Sequence, residues 1–211
     1  MSAEFATTAF FHGLFMSLVL IVAIGAQNAY VLRQGLRREH VSAVVLFCAA
    51  SDAVLIGAGV AGMAEALRGR PMLATVLAGL GAAFLCAYGL RALWRSRQPG
   101  ALQATAQGVS LSRAAVVAQA AGFTLLNPHV YLDTVLLVGS AGAQYAGSLK
   151  VWFVAGASMA SVLWFTALGF GARLLAPVFA RPRAWQMLDA LIGGTMLVLA
   201  AMLARRALTG A

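Results

Sequence analysis

The sequence predicts an all-α, polytopic membrane protein with six transmembrane helices arranged as two inverted three-helix repeats. Of the 211 residues, 62% are hydrophobic and only 10% are charged, and the mean hydropathy is +0.86. The apolar residues form long stretches separated by short basic loops. A soluble domain carries about 25% charged residues to cover its surface, so most of this exterior is expected to face lipid.

The first three apolar stretches occupy residues 8–32, 41–67 and 72–93. Each is long enough to cross a bilayer, which takes roughly 20 apolar residues. Polar residues at 25–28 interrupt the first stretch, which ends in a basic loop at residues 33–40. The more polar connection that follows, residues 94–113, is predicted to be a linker loop.

The last three stretches occupy residues 114–138, 149–176 and 184–203. Residues 127–129 break the fourth stretch, because proline removes a backbone donor and clashes with the preceding turn. A weak internal repeat relates the halves: a shift of 115 places residues 91–93 on 206–208, and a shift of 99 places Asn28 on Asn127. The sequence therefore predicts one membrane domain over residues 1–211, with repeats at 1–93 and 114–211.

The distribution of lysine and arginine predicts the orientation. The first, third and fifth loops hold ten basic residues, whereas the other loops and the termini hold five. Basic loops stay on the cytoplasmic side, so both termini are expected in the periplasm and the long loop in the cytoplasm. The opening residues lack the positive region of a cleaved signal peptide, so the first apolar stretch is expected to be retained.

Composition also excludes several classes of partner. The net charge of +9 comes from arginines between apolar stretches, and no soluble basic surface for nucleic acid is expected. Cys48 and Cys86 lie inside apolar runs, which indicates buried thiols and neither a disulfide nor a metal site. No metal and no cofactor is predicted.

Carboxylates inside apolar stretches are the first candidates for function. Asp52 and Asp133 lie deep in their stretches, and Asp189 lies nearer an end. A charge at mid-membrane costs at least about 2.5 kcal/mol, so such residues usually line a polar cavity or a relay. No lysine or arginine lies at comparable depth, so we expect these aspartates to lack a permanent cationic partner. The alternative is neutralisation by protonation or hydrogen bonds.

The two breaks are the second group of candidates. Gln27 and Asn28 at the first break, and Asn127 and Pro128 at the second, offer amides and unsatisfied backbone groups. Such groups need protein or cavity water as partners, or an anionic ligand at a half-helix N-terminus; a plain kink is the alternative. Nearby side chains are accessory candidates, although each could serve packing or one local hydrogen bond. They are Tyr30, His129, Tyr131 and Trp164.

These same segments carry a family resemblance. Residues 25–35 (GAQNAYVLRQG) and 123–134 (FTLLNPHVYLDT) resemble the two signature segments of the L-lysine exporter (LysE/ArgO) family, and the resemblance covers the whole chain. It implies a bacterial inner-membrane secondary transporter that exports L-lysine, L-arginine and related basic amino acids, coupled to the proton motive force. The positions to which the resemblance assigns substrate or ion binding are Gln27, Asn28, Asp52, Asn127, Pro128 and Asp133.

Alternating access between two repeats suits this reading, with protons or another coupling ion exchanged at the aspartates. Monomer and homodimer are both compatible with the sequence.

An exporter of neutral amino acids or other small amino-acid-like solutes is the nearest alternative, because the wider superfamily also includes such carriers. An ion channel is a second. An enzyme is not expected, since residues 156–160 (GASMA) lack the final glycine of a nucleophile elbow, although a paired-aspartate protease fits the residue types.

Overall fold

A computed structural model of the chain describes residues 3–22, 25–63, 71–97, 111–127, 130–175, 177 and 182–209. All regular structure in these residues is helical, which confirms the all-α prediction. The α-helices, in chain order, are α1 (Ala3–Ile21), α2 (Ala26–Arg37), α3 (Val41–Ala58), α4 (Pro71–Ser96), α5 (Arg113–Leu125), α6 (Gly139–Ala143), α7 (Leu149–Gly171) and α8 (Pro182–Thr209). Two π-helical segments, Gly59–Met63 and Tyr131–Val138, continue α3 and lead into α6, and a 3₁₀ turn, Ala172–Leu175, follows α7.

Four helical stretches in the described part of the chain are long and apolar enough to cross a membrane. They are Glu4–Ile21, Val41–Gly62, Leu149–Leu175 and Arg183–Arg205. The 26-residue α4 also has the length of a span, whereas α2 and α5, with 12 and 13 residues, are each too short alone. The chain is thus a multi-pass membrane protein, and the arrangement as six spans in two inverted repeats stays a prediction.

The first predicted stretch is two helices with a break between them. α1 ends at Ile21, Gly25 is extended (φ −105°, ψ 176°), and α2 begins at Ala26. The predicted end near residue 32 is wrong, because α2 continues to Arg37. Arg33, which was predicted to lie in a basic loop, is instead a buried residue of this helix.

The fourth predicted stretch is divided in the same way. α5 ends at Leu125, and the chain becomes helical again before the π-helical segment Tyr131–Val138. The local cause is the proline at position 128, which disfavours helical backbone for Asn127 before it. Pro128 and His129 themselves lie outside the described residues. Helical structure runs on to Ala143, five residues past the predicted end at 138.

Small residues let the helices approach closely. α1 packs along α7, and α4 packs along α8. At the first of these contacts a side chain at Gly13 would collide with the carbonyl oxygen of Phe153, and one at Gly156 would collide with that of Phe10. Helices in lipid associate through such backbone contacts, because no hydrophobic force drives them together.

Large apolar side chains remain exposed on the outside of this bundle. Met72, Leu174 and Val19 keep 80%, 79% and 76% of their surface accessible. Exposed apolar area of this extent is typical of a surface that contacts a membrane or another protein. The described helices therefore present a largely apolar exterior, as lipid requires.

Candidate functional site

A cavity of about 220 Å³ lies where the two helix breaks meet α3. Its volume is several times the roughly 30 Å³ that one water molecule occupies in the liquid, so the cavity can hold a small solute. Five of the six principal candidate residues line its wall, and the sixth, Pro128, is outside the described residues. The five are Gln27, Asn28, Asp52, Asn127 and Asp133.

Asp52 is the carboxylate most deeply enclosed at this cavity. It lies in the apolar helix α3 and keeps only 5% of its surface exposed. The Ser161 hydroxyl of α7 donates a hydrogen bond of 2.8 Å to Asp52 Oδ2. Within the described part of the chain no lysine or arginine forms an ion pair with it. Asp52 can therefore hold a proton or bind a cation from the cavity.

Asn28 stabilises the first break while it lines the cavity. Its Nδ2 donates to the carbonyl oxygen of Ile21 (2.6 Å), the last residue of α1. Its Oδ1 accepts a hydrogen bond from Trp164 Nε1 at 3.2 Å. The terminal carbonyl groups of a helix lack intrahelical partners, and Asn28 supplies one across the gap.

The second break has a comparable bond. The Tyr131 hydroxyl donates to the carbonyl oxygen of Leu125 (2.9 Å), the last residue of α5. At each break, a side chain after the break thus donates a hydrogen bond to the carbonyl group of the last residue of the helix before it. Backbone groups without access to water need such a partner. Tyr131 does not line the cavity, whereas Asp133, two residues further along, does so with Thr134.

Gln27 presents an amide donor to the cavity. It lies in the first turn of α2 and is 9% exposed, and its Nε2 has no hydrogen-bond partner among the described residues. Gly25, at the N-cap of α2, provides no capping side chain. The N-terminus of a helix carries a partial positive charge and free N–H groups. This wall of the cavity is therefore suited to an anionic group such as a carboxylate.

Like Tyr131, the accessory candidates Tyr30 and Trp164 do not line the cavity. The Tyr30 hydroxyl donates to the carbonyl oxygen of Val116 (2.9 Å), and its ring packs against Phe123 with centroids 4.9 Å apart. Its position is typical of a core residue. Trp164 also lies outside the cavity wall, and His129 is outside the described residues.

Asp189 has two cationic partners, so the expectation that the intramembrane aspartates lack one is wrong for this residue. Its Oδ1 lies 3.1 Å from Arg33 Nη1 and 3.4 Å from Arg95 Nη2, and the carboxylate is fully buried. These three residues come from α8, α2 and α4. Arg33 lies inside α2 and not in a loop, and its buried side chain contacts the Asp189 carboxylate.

Sequence reasoning missed Ser161, which bonds to Asp52, and Ser17, which lines the cavity. A serine in a membrane helix ordinarily satisfies its hydroxyl on its own backbone, so nothing in the α7 sequence distinguishes Ser161. Only the fold places it opposite Asp52. Among the described residues no three histidine, cysteine or acidic side chains converge as a metal site would require.

Apolar helices of membrane length around an internal polar cavity define the class of multi-pass membrane transport proteins. The particular family follows from comparison with known sequences. The chain belongs to the LysE type translocator family, which it matches over residues 18–207. It is therefore a transporter and not an enzyme. No solved structure matches it.

Individual relatives agree with this family. A candidate amino-acid transporter of Aeromonas salmonicida, YggA, is 45% identical over 205 residues, covering 97% of this chain and 98% of the relative. Candidate amino-acid transporters of Mycobacterium bovis and Mycobacterium tuberculosis are each 46% identical over 180 residues, covering 85% of this chain and 89% of the relative.

Proposed function

We propose that this protein exports the basic amino acids L-lysine and L-arginine across the bacterial inner membrane. The observation that carries the proposal is the cavity, in which Asp52 and Asp133 face amides at the two helix breaks. Family membership supports transport, and the names of the relatives support an amino acid as the cargo. A charged aspartate in a membrane interior is energetically costly, so its presence there indicates a function.

The cavity offers complementary groups to both ends of a basic amino acid. Gln27 Nε2 and the uncapped N-terminus of α2 provide donors for the substrate carboxylate. Asp52 and Asp133 provide negative charge for the ammonium or guanidinium groups. A basic amino acid carries a cationic side chain in addition to its ammonium group, and two carboxylates at one cavity attract both cations, which is the physical reason to prefer a basic substrate.

Alternating access between two inverted three-helix repeats is the proposed mechanism. The repeats comprise residues 1–93 and 114–211, joined by a cytoplasmic linker at 94–113, with both termini in the periplasm. Asn28 and Asn127, which the shift of 99 superimposes, both line the cavity, one at each break, and this supports the organisation. Asp52 and Asp133 would exchange the substrate cation for a proton, which couples export to the proton motive force.

Uptake of labelled arginine into inverted membrane vesicles tests the proposal. We expect saturable uptake that accelerates when the vesicle interior is made acidic, because protons then leave as arginine enters. Asp52→Asn should abolish this uptake with the protein still inserted. Glu39→Gln is the matched control, since Glu39 pairs with Arg37 outside the cavity (2.9 Å) and its loss should leave uptake unchanged. Normal uptake by Asp52→Asn, or equal competition by leucine or threonine, would refute the assignment.

The orientation of the substrate is testable with a decarboxylated analogue. If Gln27 binds the substrate carboxylate, 1,5-diaminopentane should compete poorly with lysine in the wild-type protein, because it lacks that group. Gln27→Ala should raise the KM for lysine about ten-fold, as expected for the loss of a hydrogen bond to a charged group. The same variant should leave competition by the analogue unchanged. An equal loss for both compounds would argue against this pose.

A further inference from the structure

A second, larger concavity lies at one end of the bundle. This basic cleft, of about 680 Å³, is formed where α2 ends, α3 and α5 begin, and α7 ends. Three arginines line it: Arg38 follows α2, Arg113 is the first residue of α5, and Arg173 lies in the 3₁₀ turn after α7. None of them belongs to the cavity at the helix breaks.

The positive charge of the basic cleft is not neutralised within the described residues. No aspartate or glutamate lines it, and none of its three arginines forms an ion pair with a described residue. The nearest acidic residue in sequence, Glu39, pairs with Arg37. Three guanidinium groups around one concavity focus a positive potential that attracts anions.

The backbone adds to this potential. α3 begins at the cleft after His40, which has a left-handed conformation (φ 48°) and makes no side-chain capping bond. The first turn of this 18-residue helix, including Val41 and Ser42, lines the cleft. Free N–H groups at a helix N-terminus favour a phosphate oxygen as their acceptor.

The apolar surroundings indicate which anion fits. Phe170 lines the cleft and is 40% exposed, and Leu174, next to Arg173, is 79% exposed. A free inorganic anion has no apolar group to pack against these side chains. A phospholipid, in contrast, places its phosphate at the interface and its acyl chains along the apolar helices. Basic pockets between membrane helices bind anionic headgroups in this way.

We propose that the basic cleft binds the phosphodiester headgroup of an anionic phospholipid. Arginine suits this ligand, because its planar guanidinium donates two parallel hydrogen bonds to phosphate. The headgroup would bridge the ends of α2 and α7 to the starts of α3 and α5. This proposal concerns a different surface from the transport cavity and does not depend on the identity of the substrate.

Lipid titration of the purified, detergent-solubilised protein, followed by native mass spectrometry, tests the proposal. We expect phosphatidylglycerol to bind in preference to phosphatidylcholine, and glycerol 3-phosphate, which lacks acyl chains, to displace it poorly. Arg113→Gln and Arg173→Gln should each weaken binding about five-fold, because one basic residue near an anionic lipid contributes about 1 kcal/mol to binding. Lys150→Gln is the matched control: it removes one positive charge from the opposite end of α7 and should leave binding unchanged.

Several outcomes would overturn the proposal. Equal binding of phosphatidylcholine would exclude recognition of charge, and full displacement by glycerol 3-phosphate would indicate a site for soluble phosphates. A loss in Lys150→Gln as large as that in Arg113→Gln would indicate general attraction to the basic protein. If an arginine variant does not fold, the two wild-type comparisons, with phosphatidylcholine and with glycerol 3-phosphate, still test the proposal, and Arg113→Lys keeps the charge while removing the planar fork.

Discussion

Ser161 and Trp164 lie three residues apart on α7 and each donates a hydrogen bond to a polar side chain of the cavity wall. The acceptors, Asp52 and Asn28, belong to different helices. A buried polar group without a partner costs about 1–3 kcal/mol, so these two donors fix the orientation of their acceptors. They act as positioning residues for the proposed site.

Replacement of Ser161 tests this positioning. Ser161→Ala removes one donor from Asp52 and should lower the rate of arginine uptake into inverted vesicles several-fold, with the amount of inserted protein unchanged. Ser161→Thr keeps the hydroxyl and should restore uptake. Ser96→Ala is the control, since the Ser96 hydroxyl bonds to the Leu93 carbonyl of its own helix (2.7 Å). Equal uptake by Ser161→Ala and the wild type would show that this bond has no role.

At the scale of elements, one carboxylate connects three helices. Asp189 of α8 contacts Arg33 of α2 and Arg95 of α4, and the Arg95 guanidinium also lies 5.7 Å from the centre of the Tyr88 ring. Two arginines share a single acidic partner. Removal of that partner would leave the buried Arg33 and the partly buried Arg95 without compensation, which is strongly unfavourable.

Asp189→Asn should therefore destabilise the protein by about 3–5 kcal/mol. Chemical unfolding in detergent measures this loss. Asp52→Asn makes the same change of atoms in another buried aspartate, yet it should have a small effect on stability, because Asp52 has no cationic partner among the described residues. Similar losses in both variants would contradict the structural role given to the Asp189 cluster.

The two breaks show what local sequence can and cannot predict. Proline at 128 acts on its immediate neighbours, so the second break was predictable. The burial of Arg33 within α2 was not, because its partner Asp189 is distant in the sequence and lies close only in the fold. Likewise, apolar patterning and costly polar residues indicated five cavity residues, while Ser161 required knowledge of which helix packs opposite Asp52.

At the scale of the whole molecule, basic residues from three separate connections meet at one end. Arg38, Arg113 and Arg173 all line the basic cleft, and His40 Nε2 lies 3.0 Å from the carbonyl oxygen of Leu111 across it. Positive charge concentrated at one end is what the positive-inside rule associates with the cytoplasmic face. The cleft therefore gives an expected orientation for the bundle.

Cysteine labelling measures that orientation. With Cys48 and Cys86 replaced by alanine, a membrane-impermeant maleimide should label Gln144→Cys in intact cells, since Gln144 is an exposed residue before α7. Ser112→Cys and Leu174→Cys, both exposed at the end with the basic cleft, should react only in inverted vesicles. The reverse pattern would contradict the orientation while leaving the fold intact.

The cluster around Asp189 also has a consequence for biosynthesis. A ribosome that adds about 5–20 residues per second completes Arg33 roughly 8–30 s before Asp189, the acidic residue with which it forms an ion pair. Until α8 emerges, Arg33 and Arg95 lack the carboxylate that neutralises them in the finished bundle. Completion of the last helix is thus the step that closes the assembly. A chain cut short before it would retain two arginines without the carboxylate that neutralises them.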